Sequence, residues 1–105
     1  MSRNSEAKIY LALEEDKVAW KEGIQEKWDL MGEVGDHQEG VITRIINYDS
    51  QDSYYCGVVL ESVGWGCKTI YATKIVRLIA KARRLLSHYV ENPEDFKLTL
   101  SAEYF

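Results

Sequence analysis

The stretch Val63-Gly64-Trp65-Gly66-Cys67-Lys68-Thr69 sets two glycines, a thiol and a Lys-Thr pair between a β-rich segment and a basic helical one. A glycine-rich turn followed by Lys-Thr and a helix is how a nucleotide-phosphate cradle begins. The free backbone N–H groups at the helix start point at the anion. The spacing does not complete the cradle, because Cys67 separates Gly66 from Lys68 and no glycine stands at the required upstream position. The stretch therefore reads as a strand-to-helix turn with residual anion affinity at Lys68.

Cys67 at a helix start is also where a thiolate nucleophile can form. Its base would be His37 or His88, with Asp36 as the acidic neighbour of His37. That small Cys-dependent enzyme is the weakest reading, since adjacent residues do not ordinarily point the same way. A zinc site built from His37, Cys56, Cys67 and His88 lacks the close ligand pairing that structural zinc uses. The carboxylate groups Glu14-Glu15-Asp16 and Glu94-Asp95 fall at element ends, where they read as solvated. No catalytic residue, metal or cofactor is assigned, and the chain reads as non-enzymatic.

The basic residues are better organised. Lys74, Arg77, Lys81, Arg84 and His88 recur every three or four positions, so a helix over 69–90 carries them on one face. With Lys68 they form a candidate contact for an anion or nucleic acid. Residues 62–90 carry a net charge of +6, while 1–61 carry −7 and 91–105 carry −3. The overall net charge of −4 argues against nucleic acid. The simplest expectation is that the basic helix lies against the acidic part of its own chain; nucleic-acid or nucleotide binding comes next.

These groups need elements to position them. Ser5 caps a helix expected over 6–31, in which Ile9, Leu13, Trp20, Ile24, Trp28 and Met31 keep helical spacing. A rival reading makes "KIYLALE" (8–14) a short strand, because it also alternates. Residues 31–40 read as loop. "GVITRIINYD" (40–49) and "YYCGVVLE" (54–61) form a hairpin. One of its faces holds Val41, Thr43, Ile45 and Asn47, the other Ile42, Arg44, Ile46 and Tyr48; Gly57 marks a bulge or a close packing point. The apolar stripe of 69–90 predicts a helix that covers a sheet. Pro93 ends it, and 96–105 alternates as a last strand. The expected fold is α+β, a small single-domain sandwich spanning 1–105 in the order α-β-β-α-β. Its sheet is mostly antiparallel and packs against helices, and residues 1–4 are disordered.

Tyr48, Asp49, Asp52, Tyr54, Tyr55 and Trp65 gather aromatic rings and acids around the hairpin tip, the composition of a protein-contact patch. No run is long and apolar enough for a membrane span or a signal peptide. Cys56 and Cys67 fit free thiols, so a cytoplasmic location without membrane contact is expected. In size and composition the chain is similar to small bacterial and phage inhibitors and immunity-type proteins, which act by stoichiometric binding. That resemblance implies a non-enzymatic inhibitor or regulator of one protein partner. Edge pairing of the C-terminal strand would add a homodimer.

Overall fold

The computed structural model describes residues 5–36, 38–46, 53–63 and 66–104. The chain runs β1 (Ser5–Glu14), a 3₁₀ turn (Glu15–Lys17), α1 (Gln25–Met31), β2 (Glu33–Asp36), β3 (Gly40–Ile46) and β4 (Tyr54–Val63). Then come α2 (Ala72–Ser87), a second 3₁₀ turn (Pro93–Asp95) and β5 (Lys97–Tyr104). The strands form one sheet in the order β2-β3-β4-β1-β5, and every neighbouring pair is antiparallel. The class is α+β, but the expected α-β-β-α-β order is replaced by one that opens with a strand. The expected disorder of residues 1–4 lies outside the described residues.

The long first helix does not form. Residues 5–14 are a central strand held by β4 on one side and β5 on the other. Leu11 is buried on one sheet face, Tyr10 and Ala12 on the other. A strand covered on both faces loses its polar/apolar alternation. The four-residue step from Ile9 to Leu13 then mimics a helix. Gly23, at φ +83°, interrupts the helical spacing, so α1 keeps only seven residues. The loop expected over 31–40 contains β2, paired with β3 from Glu33 opposite Thr43 to Asp36 opposite Gly40. With Val34 as its one buried residue, β2 offers no alternation to detect.

The hairpin of β3 and β4 and the helix before Pro93 form near their expected places. Ile42 pairs with Val58, Arg44 with Cys56 and Ile46 with Tyr54, which puts these residues on one face. Ala82, Leu85 and Leu86 of α2 and Trp28 of α1 cover that face, with Leu11, Val58, Leu60 and Phe96 in the same core. Tyr10, Ala12 and Ile45, with Tyr55 against them, form a smaller cluster on the opposite face. Gly57 is a close packing point. A Cβ there would stand 2.7 Å from both the Ala12 Cβ and the Leu11 carbonyl oxygen. The ladder irregularity lies further along, between Ile9 and Tyr10, opposite Glu61 and Val59.

The chain between the first 3₁₀ turn and α1 is tied to the end of α2. The Lys21 N–H donates to the Tyr89 carbonyl at 2.9 Å, and the Glu91 N–H donates to Ala19 at 2.7 Å. The Asn92 amide bridges further, accepting from the Ala19 N–H and donating to the Lys17 carbonyl. These ties seat Glu15 at the end of the sheet, within reach of β3.

Candidate functional site

β3 carries one cation, Arg44, between aliphatic neighbours on the helix-covered face. A half-buried guanidinium needs a partner, and Glu15 supplies it from the turn after β1. Its Oε1 accepts from Arg44 Nη2 at 2.5 Å and Nε at 3.2 Å. The same oxygen accepts from the indole Nε1 of buried Trp28 at 2.5 Å. The guanidinium carbon lies 5.3 Å from the ring centroids of both Trp28 and Tyr54, within cation–π range. Trp20 leans on Trp28 with 4.9 Å between centroids. β1, α1, β3 and β4 therefore converge on one acid–arginine–aromatic cluster.

Beside the cluster opens a cavity of about 360 Å³ lined by Glu14, Glu15, Asp16, Gln25, Ser53 and Tyr54. Glu15 is bound to Arg44, and Glu14 is paired with Lys17 at 3.3 Å. Asp16 is exposed. Tyr54 lines the cavity and is exposed, and Ile46, its partner across the hairpin, is exposed as well; Leu30 and Met31 at the end of α1 are 86% and 70% exposed. The Arg44 N–H donates to the Gly32 carbonyl, which brings the end of α1 to this end of β3. The arrangement can take a positively charged group against Tyr54 and the acids, with aliphatic contacts around it.

Of the residues expected at a partner surface, Tyr54 belongs to this site. Tyr55 does not, because successive strand residues face opposite sides and Tyr55 packs on the second cluster with Ala12. Tyr48, Asp49, Asp52 and Trp65 lie outside the described residues. Glu15, Trp28 and Arg44 were missed from sequence. The available signal was Arg44 itself, a lone charge inside "VITRII", which required an acid elsewhere in the chain.

The basic residues stand apart from this site. Lys68 and Lys74 both bind Glu61 on β4, at 2.5 and 3.4 Å. The Lys68 hydrogen bond, reinforced by the charges of Lys68 and Lys74, holds the Glu61 carboxyl below its ordinary range. Arg83 donates to the Pro93 carbonyl. Arg77, Lys81 and Arg84 are exposed on the outer face of α2, and no ion pair to them is found among the described residues. The basic segment therefore meets the acidic residues 1–61 at its start, through Lys68 and Lys74 on Glu61, while the charges of Arg77, Lys81 and Arg84 point outward.

Both cysteines are free thiols. Cys56 is fully buried, and burial pushes its thiol well above the ordinary range, with Glu15 adding to the effect. Cys67 is exposed just ahead of α2 and His88 caps its far end, so the helix, about 24 Å at 1.5 Å per residue, separates them. Asp36 is engaged locally, accepting from the Gln38 and Glu39 N–H groups; His37 lies outside the described residues. Among the described residues no three His, Cys, Asp or Glu are grouped to hold a metal ion, and no helix is long and apolar enough to cross a membrane. No protein-family model matches the chain, and neither a curated protein nor a solved structure does.

Proposed function

We propose that the chain is a non-enzymatic protein-binding module that takes a basic, partly apolar segment of one protein partner at the Glu15–Arg44–Tyr54 end of the sheet. The observation that carries this reading is the cavity lined by Glu14, Glu15 and Asp16 together with exposed Tyr54, beside which Ile46, the cross-strand partner of Tyr54, is also exposed. Exposed apolar residues scattered singly have no special meaning, whereas several at one end of a small domain mark a contact surface. Tyr54 and Arg44 are the residue types that most often anchor such contacts, and Arg44 is already fixed by Glu15, so little side-chain entropy is lost on binding. A stoichiometric inhibitory or regulatory role of the immunity type, in the cytoplasm, fits the chain's size and its two free thiols.

A second reading is anion or nucleic-acid binding at the outer face of α2, favoured by the outward charges of Arg77, Lys81 and Arg84. One experiment separates the two. Capture from source-cell lysate, with and without nuclease, is compared for the wild-type chain, the pair Y54A and D16K, and the triple variant R77E/K81E/R84E. One protein retained at near-equal stoichiometry by the wild type and the triple variant, and lost by Y54A and D16K, is the expected result. Capture lost only in the triple variant, or only after nuclease, overturns the first reading in favour of the second.

A further inference from the structure

The outer side of α2 combines small residues with unpaired cations. Thr73, Ala80 and Ser87 recur every two turns and form the centre line of the exposed side. Arg77, Lys81 and Arg84 step by four and three beside that line, and all three are exposed. Ala82, Leu85 and Leu86 are buried on the opposite side. No Asp or Glu occurs in residues 62–90, and Glu61 is occupied by Lys68 and Lys74. The three outer cations therefore form a ridge with no carboxylate paired to it among the described residues.

We propose that this ridge binds the phosphate backbone of double-stranded DNA without reading its sequence. This rests on the anion-binding reading of α2 and is independent of partner binding at Glu15 and Tyr54. The composition of the face separates the possible ligands. A protein contact centres on aromatic or methionine anchors, whereas the centre line here is small and Val76 is the one large apolar residue exposed in α2. Single strands are held by stacking bases on aromatic rings, and α2 contains none. A duplex backbone needs only cations and hydroxyl donors at its phosphates. Thr73 offers such a hydroxyl, and the small side chains let the helix approach closely. The spacing also agrees. Arg77 to Arg84 rises about 10 Å along the helix, over which one strand of a duplex presents about three phosphates. The net charge of −4 comes from acids outside residues 62–90. At physiological salt a charge is screened beyond about 8 Å, so a backbone lying on the ridge meets the sign of the ridge itself.

The test is an anisotropy titration of a short labelled duplex with the full chain at several salt concentrations. Three phosphate contacts give a log–log salt slope of about −2.7, an affinity loss of about fortyfold between 50 and 200 mM salt. K81A is expected to make the slope shallower by about 0.9. R77E/K81E/R84E and its neutral counterpart R77Q/K81Q/R84Q are expected to abolish binding, while Y54A binds as the wild type does. A duplex of unrelated sequence is expected to bind equally, and a single strand of the same length or poly-L-glutamate much more weakly. Absence of duplex binding at low salt, binding retained by both triple variants, or loss of binding in Y54A would overturn the proposal. So would a single strand or poly-L-glutamate bound as tightly as the duplex. Circular dichroism of each variant checks that the fold is kept.

Discussion

Glu15 links the turn after β1 to α1 and β3, and its removal has a calculable cost. In E15A the Trp28 indole N–H and the Arg44 guanidinium both lose their acceptor, a single oxygen that serves three donors. The two losses are unequal. Trp28 is almost wholly buried, so its orphaned N–H costs about 1–3 kcal/mol. The Arg44 side chain is one-third exposed, so water replaces most of the ion pair, which contributes about 0–1 kcal/mol. The sum is about 2 kcal/mol, a fall in Tm of about 10 °C for a domain of this size. E15Q keeps a carbonyl oxygen for the indole and loses only the charge, so about 1 kcal/mol or less is expected. Urea unfolding at neutral pH, followed by tryptophan fluorescence and far-ultraviolet circular dichroism together, measures both variants. A cost for E15A below about 0.5 kcal/mol, or E15Q as damaging as E15A, would refute the reasoning that the buried indole bond dominates.

Three further outcomes are expected. G57A should destabilise by about 1–3 kcal/mol through overpacking, and adding A12G should recover only part of it, because the Leu11 carbonyl remains 2.7 Å from the new methyl group; thermal melts of the single and double variants decide. The Glu61 carboxyl titrates lower in the folded chain than in the unfolded one, chiefly through its Lys68 hydrogen bond. Its stabilisation is thus fully present above the ordinary glutamate range and is lost as pH falls through the lowered folded value. Protection of the 66–74 amides, taken relative to their intrinsic exchange rate at each pH, should fall as pH drops through the lowered Glu61 value in the wild type, and E61Q should remove that step. R77E/K81E/R84E should leave stability within about 0.5 kcal/mol of wild type, since these residues make no ion pair among those described; a larger loss in urea unfolding would reveal an internal partner for the basic face.

The parts of the fold that could be read from sequence were those whose pattern has one solution. The apolar stripe of 69–90 could only cover a sheet, and "GVITRIINYD" with "YYCGVVLE" could only be a hairpin; both formed, with α2 confined to Ala72–Ser87. β1 was misread because its burial on both faces is set by β4 and β5, neighbours more than forty residues away in the chain. The alternation of 8–14 allowed the strand that formed, but the partners on its two sides are not recorded locally. The site was half legible for the same reason. Tyr54 stood out by type and by its place at the hairpin end, but Glu15 was read as solvated. Its role depends on Arg44, which lies 29 positions later, and becomes visible only once β1 is a strand delivering Glu15 to the end of β3. The outward charge of α2 was misjudged because Glu61 meets Lys68 and Lys74 around the start of the helix, while among the described residues no ion pair reaches Arg77, Lys81 or Arg84.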